Sequence, residues 1–445
     1  MRHTMPPGRI EAAWRPETGT LLPADSIADR RRRWALAAIL LLAFVVRLAA
    51  ANWWQHRLGE RSFGFADSES YWALGQRIAQ GKPYAFGEDK VFRTPGYPVV
   101  LSAPIRMFGA GLEGIWFARM EAAVLGLLAV GGVWCWARML FDDRTALVAA
   151  GLAAIYPGAI STSTLILSEA PFCPLMVANL VLWTRAERAG TTGGRWGAAC
   201  AAGMLAGLAT LMRPSWLLFA PFALTLGMLR GGPWRPRLEL AAAMLLGLVL
   251  VMSPWWVRNW QVVGRFVPTS LQVGASLYDG LNPKATGASE MSFVPEFSAA
   301  ERAQPSGDPA IPFEVRLDRR MRDASVDWAQ EHLGQVVRLM GVKFLRMWNV
   351  WPNEPSFSSW PLRVAILLSY GPILALAIIG AVRYLPRGWP YILCVLPAVY
   401  FTLLHTIFVS SLRYREPAMF GLIVLAAAVL SEASQRGTRQ PERGT

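Results

Sequence analysis

Asp67, Glu169, Arg213, Arg258, Arg413 and Arg415 are the residues of this sequence whose types and neighbours could do chemistry. Arg213 lies in MRP, Arg258 follows PWW, and Arg413 and Arg415 flank Tyr414 in SSLRYREP, each beside a long apolar run. A guanidinium at an apolar boundary is costly unless it meets an anion, and its planar fork suits phosphate oxygens. Snorkelling towards lipid headgroups accounts as well for a single arginine of this kind. Two of them around one tyrosine, in a short turn that would otherwise carry little positive charge, point to a bound phosphate. Asp67 opens DSESYW and Glu169 lies in LILSEAPF, and both fall on the same side of the membrane as the arginines. A carboxylate there can accept the proton of an attacking hydroxyl while guanidinium groups stabilise a departing phosphate. Helix capping is the competing account of Asp67, and a polar span boundary is that of Glu169.

Other polar residues give less. His405, in LLHTIF, reads as a packed or hydrogen-bonded histidine, and His56 and His332 have no ligand-like partners at useful spacing, so no histidine metal site is expected. Glu88 and Asp89 read as a solvated turn. Cys135, Cys173, Cys200 and Cys394 stand singly in apolar segments without CxxC spacing, which argues against disulfide and zinc frameworks. Trp53, Trp54, Trp255, Trp256, Trp348 and Trp351 cluster at span ends, as in an interfacial aromatic belt.

What must position these residues is a membrane bundle. At 53% hydrophobic and 17% charged over 445 residues, the chain carries more apolar surface than one soluble core of this length. Predominantly apolar runs fall near 34–51, 115–137, 146–160, 169–184, 197–212, 214–229, 238–256, 362–382, 389–410 and 416–432. Each is close to the ~20 residues that cross a bilayer as a helix. The expectation is an all-α integral membrane protein of about ten transmembrane helices.

Basic residues set its direction. Arg30–Arg33 place the N-terminus inside. Alternation then puts the loops holding Arg138 and Arg144, Arg185, Arg188 and Arg195, Arg230, Arg235 and Arg237, and Arg383 and Arg387 inside, with the tail of Arg436, Arg439 and Arg443. The net charge of +14 and pI near 10.2 are therefore topology rather than a nucleic-acid footprint. The first run reads as a signal anchor, since about thirty polar residues precede it and no small-residue cleavage site follows.

This divides the chain into a cytoplasmic tail over 1–33, a transmembrane domain over 34–432 and a cytoplasmic tail over 433–445. Two long extracytoplasmic loops, 52–114 and 258–361, are the natural carriers of function. In the first, the spacing predicts an amphipathic surface helix from Asp67, with Tyr71, Leu74, Ile78 and Ala79 on one face and a stop at Gly81 and Pro83. RTPGYP at 93–98 then reads as a restricted, tight turn. In the second, 258–287 reads as extended and turn-rich, a polar segment as mobile, and 311–349 as one or two surface helices returning to the bilayer.

Taken in order, Asp67, RTPGYP, LSEAPF, MRP, PWWVRNW, GASLYDGLNP and SSLRYREP resemble the bacterial GT-C membrane glycosyltransferases. The resemblance runs from about 34 to 432 and is nearest to enzymes similar to protein O-mannosyltransferases and lipid A aminoarabinose transferases, a family 39-like group. It implies transfer of a sugar from a polyprenyl-phosphate donor to an acceptor outside the cytoplasm, with inversion at the anomeric carbon. It makes Asp67 the general base, places Arg413, Tyr414 and Arg415 at the lipid phosphate, and gives Glu169 a part in catalysis. Arg213 and Arg258 are further candidate phosphate ligands.

Two departures bear on the acceptor. Ser68 stands where protein mannosyltransferases carry a second acidic residue, which argues against a protein, and the chain stops without the added domain of the aminoarabinose enzymes, which argues against lipid A. The expected partners are the donor, membrane lipids and an envelope glycan, lipid or protein acceptor, in a bacterial inner membrane. No cofactor is required, although a divalent metal is compatible with the chemistry. The alternative is a lipid-linked saccharide flippase or another transporter, for which the spans offer few ionisable residues at mid-bilayer.

Overall fold

In the computed structural model, residues 27–59, 63–230, 233–308, 310–351 and 359–438 are described. The apolar runs fold mainly as helix, which satisfies the backbone N–H and C=O groups of a segment within itself, as hydrocarbon requires. The first described helix is α1 (Ile27–Leu58), and the first long loop folds as α2 (Ala66–Ala79) and α3 (Gly96–Phe108). Next come α4 (Leu112–Leu140), α5 (Asp143–Ile155), the short α6 (Pro157–Ser161), α7 (Glu169–Arg188), α8 (Thr192–Met212), α9 (Phe219–Leu229) and α10 (Arg235–Val263). The second long loop holds α11 (Val273–Gly280), α12 (Val294–Ala303), α13 (Phe313–Glu331) and α14 (Leu333–Trp348). The last helices are α15 (Trp360–Tyr384), α16 (Trp389–Ile392), α17 (Leu396–Ile407) and α18 (Glu416–Thr438). Among the described residues the only bridge of strand type joins Phe86 to Asp89.

Among the described residues, five helical stretches are long and apolar enough to cross a membrane: Asp29–Leu58, Leu112–Leu140, Arg235–Val263, Trp360–Arg387 and Glu416–Gln435. Their burial separates centre from rim. The most apolar window of Glu416–Gln435 is 78% buried, against 17% for Asp29–Leu58 and 22% for Trp360–Arg387. So α18 is the central helix, while α1 and α15 keep most of their surface for lipid. Helices α8 and α10 approach backbone to backbone: a Cβ on Gly203 would lie 1.9 Å from the Met244 carbonyl, and one on Gly247 2.1 Å from that of Cys200. Small residues permit such contact in a membrane. The buried Arg47 of α1 donates to the Ala154 carbonyl at 3.0 Å and that of Ala153 at 3.3 Å, supplying donors where α5 breaks at Tyr156 and Pro157.

Much of the expected cytoplasmic tails, 1–26 and 439–445, lies outside the described residues; the parts inside continue α1 and α18 as helix. The first long loop differs from expectation in that RTPGYP does not end as a turn but runs into α3 at Gly96. A satellite core of Tyr71, Trp72, Tyr97, Leu101, Ile105, Ile115, Ala118 and Ile166 pins α2 and α3 against α4. Burying this aromatic cluster outweighs the local turn preference of Pro95 and Gly96.

The second loop is more ordered than its turn-rich sequence suggests. Helix α10 continues to Val263, α11 lies inside the stretch expected to be extended, and α12 inside the polar segment. Gly274 donates its N–H to Asp318 Oδ1 at 2.7 Å, tying α11 to α13, and Glu301 takes Arg316 at 2.7 Å and Arg320 at 3.1 Å, tying α12 to α13. The two loops are stitched together by Glu314, which accepts from the N–H groups of Lys90 (2.9 Å) and Val91 (3.0 Å).

Candidate active site

Five connections meet at one end of the bundle: the first turn of α2, the segment before α3, the start of α7, the α8–α9 link and the turn between α17 and α18. Each brings one charged side chain. Helix α2 begins at Ala66 with Phe65 at its N-cap and no side-chain cap, so Asp67 is not the capping residue that the sequence allowed. Its carboxylate turns instead to two arginines. Oδ1 lies 2.7 Å from Arg93 Nη2, and Oδ2 lies 3.1 Å from Arg413 Nη1.

Arg93 is itself fixed against α2. Its Nε donates to Ser70 Oγ at 2.8 Å, and its guanidinium lies over the Tyr71 ring, 4.4 Å from the centroid. Arg413 reaches in the other direction as well, donating Nε to Glu169 Oε1, and Arg213 pairs with the same oxygen. Thus Arg413 bridges the two carboxylates, and Glu169 is shared by two arginines. Three guanidinium groups against two carboxylates leave the cluster with one positive charge in excess.

Burial separates the two acids. The Glu169 side chain is 1% exposed, whereas Asp67 is 37% exposed, with Arg413 at 24% and Arg213 at 9%. Glu169 therefore stands behind the arginines as their fixed counter-ion, and Asp67 forms the open edge. Burial alone would raise the Asp67 carboxyl, but the charges of Arg413 and Arg93 and their hydrogen bonds hold it well below the usual carboxylate range. Burial likewise disfavours the charged form of Arg413, and Glu169 and Asp67 more than offset it, so it stays protonated.

Two features bring the pieces together. The satellite core carries Asp67 on α2, Arg93 just before α3, and Ile166 three residues before Glu169. Gly96 presses on the end of α8: a Cβ there would lie 2.6 Å from the Leu211 carbonyl and 2.8 Å from Met212 Sδ. RTPGYP thereby rests on LMRP, and Arg93 and Arg213 share one site.

Tyr414 completes the cluster. Its ring centroid lies 5.1 Å from the Arg213 guanidinium and 5.7 Å from that of Arg413, and it stacks on His405 at 4.1 Å with planes 7° apart. His405 is packed, as expected, with Nδ1 2.9 Å from the Val409 carbonyl, a contact that requires the proton on Nδ1.

Two expected phosphate ligands stand elsewhere. Arg415, 1% exposed, donates to the carbonyls of Met347 and Asn349 at the end of α14, pairs with Glu416 at 3.3 Å and lies 3.6 Å from the Tyr370 centroid. The reason is geometric: Leu412–Tyr414 form a 3-10 turn, so side chains two positions apart point to different sides. Arg258 donates to the carbonyls of Lys90 (2.7 Å) and Tyr84 (2.9 Å) and lies over Trp255, holding the first loop rather than facing Asp67. Arg93 was not singled out in the sequence, although it begins the RTPGYP motif. Among the described residues no three His, Cys, Asp or Glu side chains gather as a metal-binding group.

Residues 93–257 match the family model described as dolichyl-phosphate-mannose-protein mannosyltransferase. No curated protein matches the chain. Among solved structures, the archaeal oligosaccharyltransferase AglB of Archaeoglobus fulgidus, in complex with an inhibitory peptide and a dolichol-phosphate, is similar with a TM-score of 0.54 at 16% identity, over 93% of this chain and 53% of its own. The apo oligosaccharyltransferase of the same organism gives 0.53 at 15% identity, over 92% and 52%. ArnT from Cupriavidus metallidurans in the apo state gives 0.42 at 18% identity, over 93% and 80%. The chain spans about half the length of the two oligosaccharyltransferases, and at these identities the likeness is one of fold. The chain has the fold of the GT-C membrane glycosyltransferases and, over the segment that holds Arg93, Glu169 and Arg213, the sequence pattern of the dolichyl-phosphate-mannose-protein mannosyltransferases.

Proposed function

We propose that the chain is a glycosyltransferase of a bacterial inner membrane, with both termini cytoplasmic, that moves a sugar from a polyprenyl-phosphate donor to an envelope acceptor on the extracytoplasmic face. The observation that carries this reading is the bridge from Asp67 through Arg413 to Glu169, with Arg213 beside it. Its excess of one positive charge matches the single negative charge of a phosphodiester. The dolichol-phosphate bound to AglB and the mannosyltransferase family model support the same donor class.

In this reading Arg413 and Arg213 hold the donor phosphate, and Tyr414 fixes their planes. Asp67, oriented by Arg93, takes the proton of the acceptor hydroxyl. As that oxygen bonds to the anomeric carbon from the face opposite the phosphate, the carbon–oxygen bond to phosphate breaks and its electron pair leaves with the phosphate, inverting the centre. Neutralising a leaving phosphate with fixed guanidinium groups is electrostatic stabilisation of the charge that develops. Glu169 supports the arginines without touching the reacting atoms.

A flippase would use the same lipid-linked sugar without joining it to anything. The two separate in liposomes containing the purified protein and lipid-linked sugars extracted from cells that lack it. A transferase leaves the donor in its leaflet until an acceptor extract is added and then converts it. Movement of the donor across the bilayer with no acceptor present contradicts the proposal.

A further inference from the structure

Arg413 is held by two carboxylates that differ in how firmly they are placed. Glu169 is fully enclosed and shared with Arg213, so its grip on Arg413 is part of the packed site. Asp67 stands at the open edge, 37% exposed, and has a second anchor in Arg93, which also binds Ser70 and stacks on Tyr71. Asp67 can therefore leave Arg413 without becoming an unpaired buried charge. The Nη1 group that faces Asp67 is also one half of the fork by which an arginine takes a phosphate through two parallel hydrogen bonds. A phosphate and the Asp67 carboxylate on that end of one guanidinium would be two anions in contact.

We infer that Asp67 and the donor phosphate compete for Arg413, so that arrival of a polyprenyl phosphate ester displaces Asp67 and frees the carboxylate for the acceptor hydroxyl. This rests on the glycosyltransferase reading above and adds an order to it. The base is engaged by Arg413 until the leaving group is in place, so donor binding precedes activation of the acceptor, and an acceptor hydroxyl arriving first meets a carboxylate already paired twice. Arg93 keeps its hold throughout and sets the direction in which Asp67 swings. Glu169 keeps Arg413 and Arg213 at the phosphate. The two acids thus have opposite relations to the donor: one competes with it and the other supports it.

That opposition gives the test, with undecaprenyl phosphate as probe and the purified full-length protein in nanodiscs, by isothermal titration. Replacing Asp67 removes the competitor, so Asp67→Asn and Asp67→Ala should bind undecaprenyl phosphate about five- to twenty-fold more tightly than wild type. Glu169→Gln removes the support and should bind it at least ten-fold more weakly. A simple effect of net charge would tighten binding in all three, and that result overturns the inference. So does equal or weaker binding by both Asp67 variants when wild type binds well. If the wild-type protein does not bind undecaprenyl phosphate, the donor reading fails and this inference with it, a result distinct from the other two.

Discussion

The guanidinium of Arg413 reaches the carboxylate of Asp67 across 346 residues of chain, Nη1 to Oδ2 at 3.1 Å, while its Nε holds Glu169. One side chain thus joins the first long loop, the start of α7 and the last turn before α18. Arg413→Lys keeps the charge but not the two directed donors, and lysine is a point charge on a flexible stem. Transfer should fall by roughly 100-fold or more while the protein stays folded, measured as product formed per minute by purified protein of unchanged size-exclusion profile.

The two carboxylates should respond differently to neutralisation. Glu169→Gln leaves two largely buried guanidinium groups without their shared anion, a change that typically costs about 3–5 kcal/mol when a buried pair is broken. Its thermal unfolding in detergent should begin well below that of wild type. Asp67→Asn, at an exposed edge with Arg93 able to donate to the amide oxygen, should unfold within a few degrees of wild type. Equal melting shifts for the two variants would contradict the assignment of a fixed and an open acid.

Gly96→Ala tests the contact that sets RTPGYP on the end of α8. The added Cβ would meet the Leu211 carbonyl at 2.6 Å, and a backbone oxygen two residues before Arg213 has no flexible way to yield. Expression and membrane insertion should persist, with transfer reduced about ten-fold or more by the displacement of Arg213 relative to Arg93. Alanine at the half-buried Gly131, where an added Cβ would meet nothing within 4 Å, is the control and should leave transfer unchanged.

The latch of the second loop gives a pH prediction. Burial would raise the Glu301 carboxyl, but hydrogen bonds from Ser306, Arg316 and Arg320 hold it down to about 2. A lowered carboxyl contributes stability that is whole above its free value, about 4.3, and is lost as the pH falls through the folded value. The segment 304–308 beside the latch should therefore resist pepsin at pH 3.5 and be cut at pH 1.5. Glu301→Gln, lacking the charge, should be cut at both.

How much of this was legible in the sequence differs by residue for physical reasons. The apolar runs were readable because hydropathy alone selects segments that can cross a bilayer, and most of their length is helical, although those at 146–160 and 389–410 break at Tyr156 and between α16 and α17. Glu169, Arg213 and Arg413 were readable because charge at an apolar boundary needs an explanation, and Asp67 because it opens a helix in the first long loop, where the family resemblance sets a general base. Arg93 was not, since an arginine in a long polar loop is ordinary until the fold sets it on Tyr71 and beside Asp67. Arg415 was misplaced because proximity in sequence to Arg413 suggested a shared ligand, whereas a 3-10 turn sends the two apart and α14 takes the second through the carbonyls of Met347 and Asn349. The helices α3, α11 and α12 were missed because their order comes from tertiary anchors, the satellite core, Asp318 and Glu301, which no local pattern announces.

Mass spectrometry of lipid-linked sugars and envelope glycans, from cells lacking the chain and from the same cells complemented with wild type or with Asp67→Asn, reads donor and product together. One polyprenyl-phosphate sugar should accumulate, and one envelope sugar be missing, in both the deletion and the Asp67→Asn strain, with wild type restoring both. Full restoration by Asp67→Asn, or lipid-linked sugars identical in all strains, would contradict the proposed function.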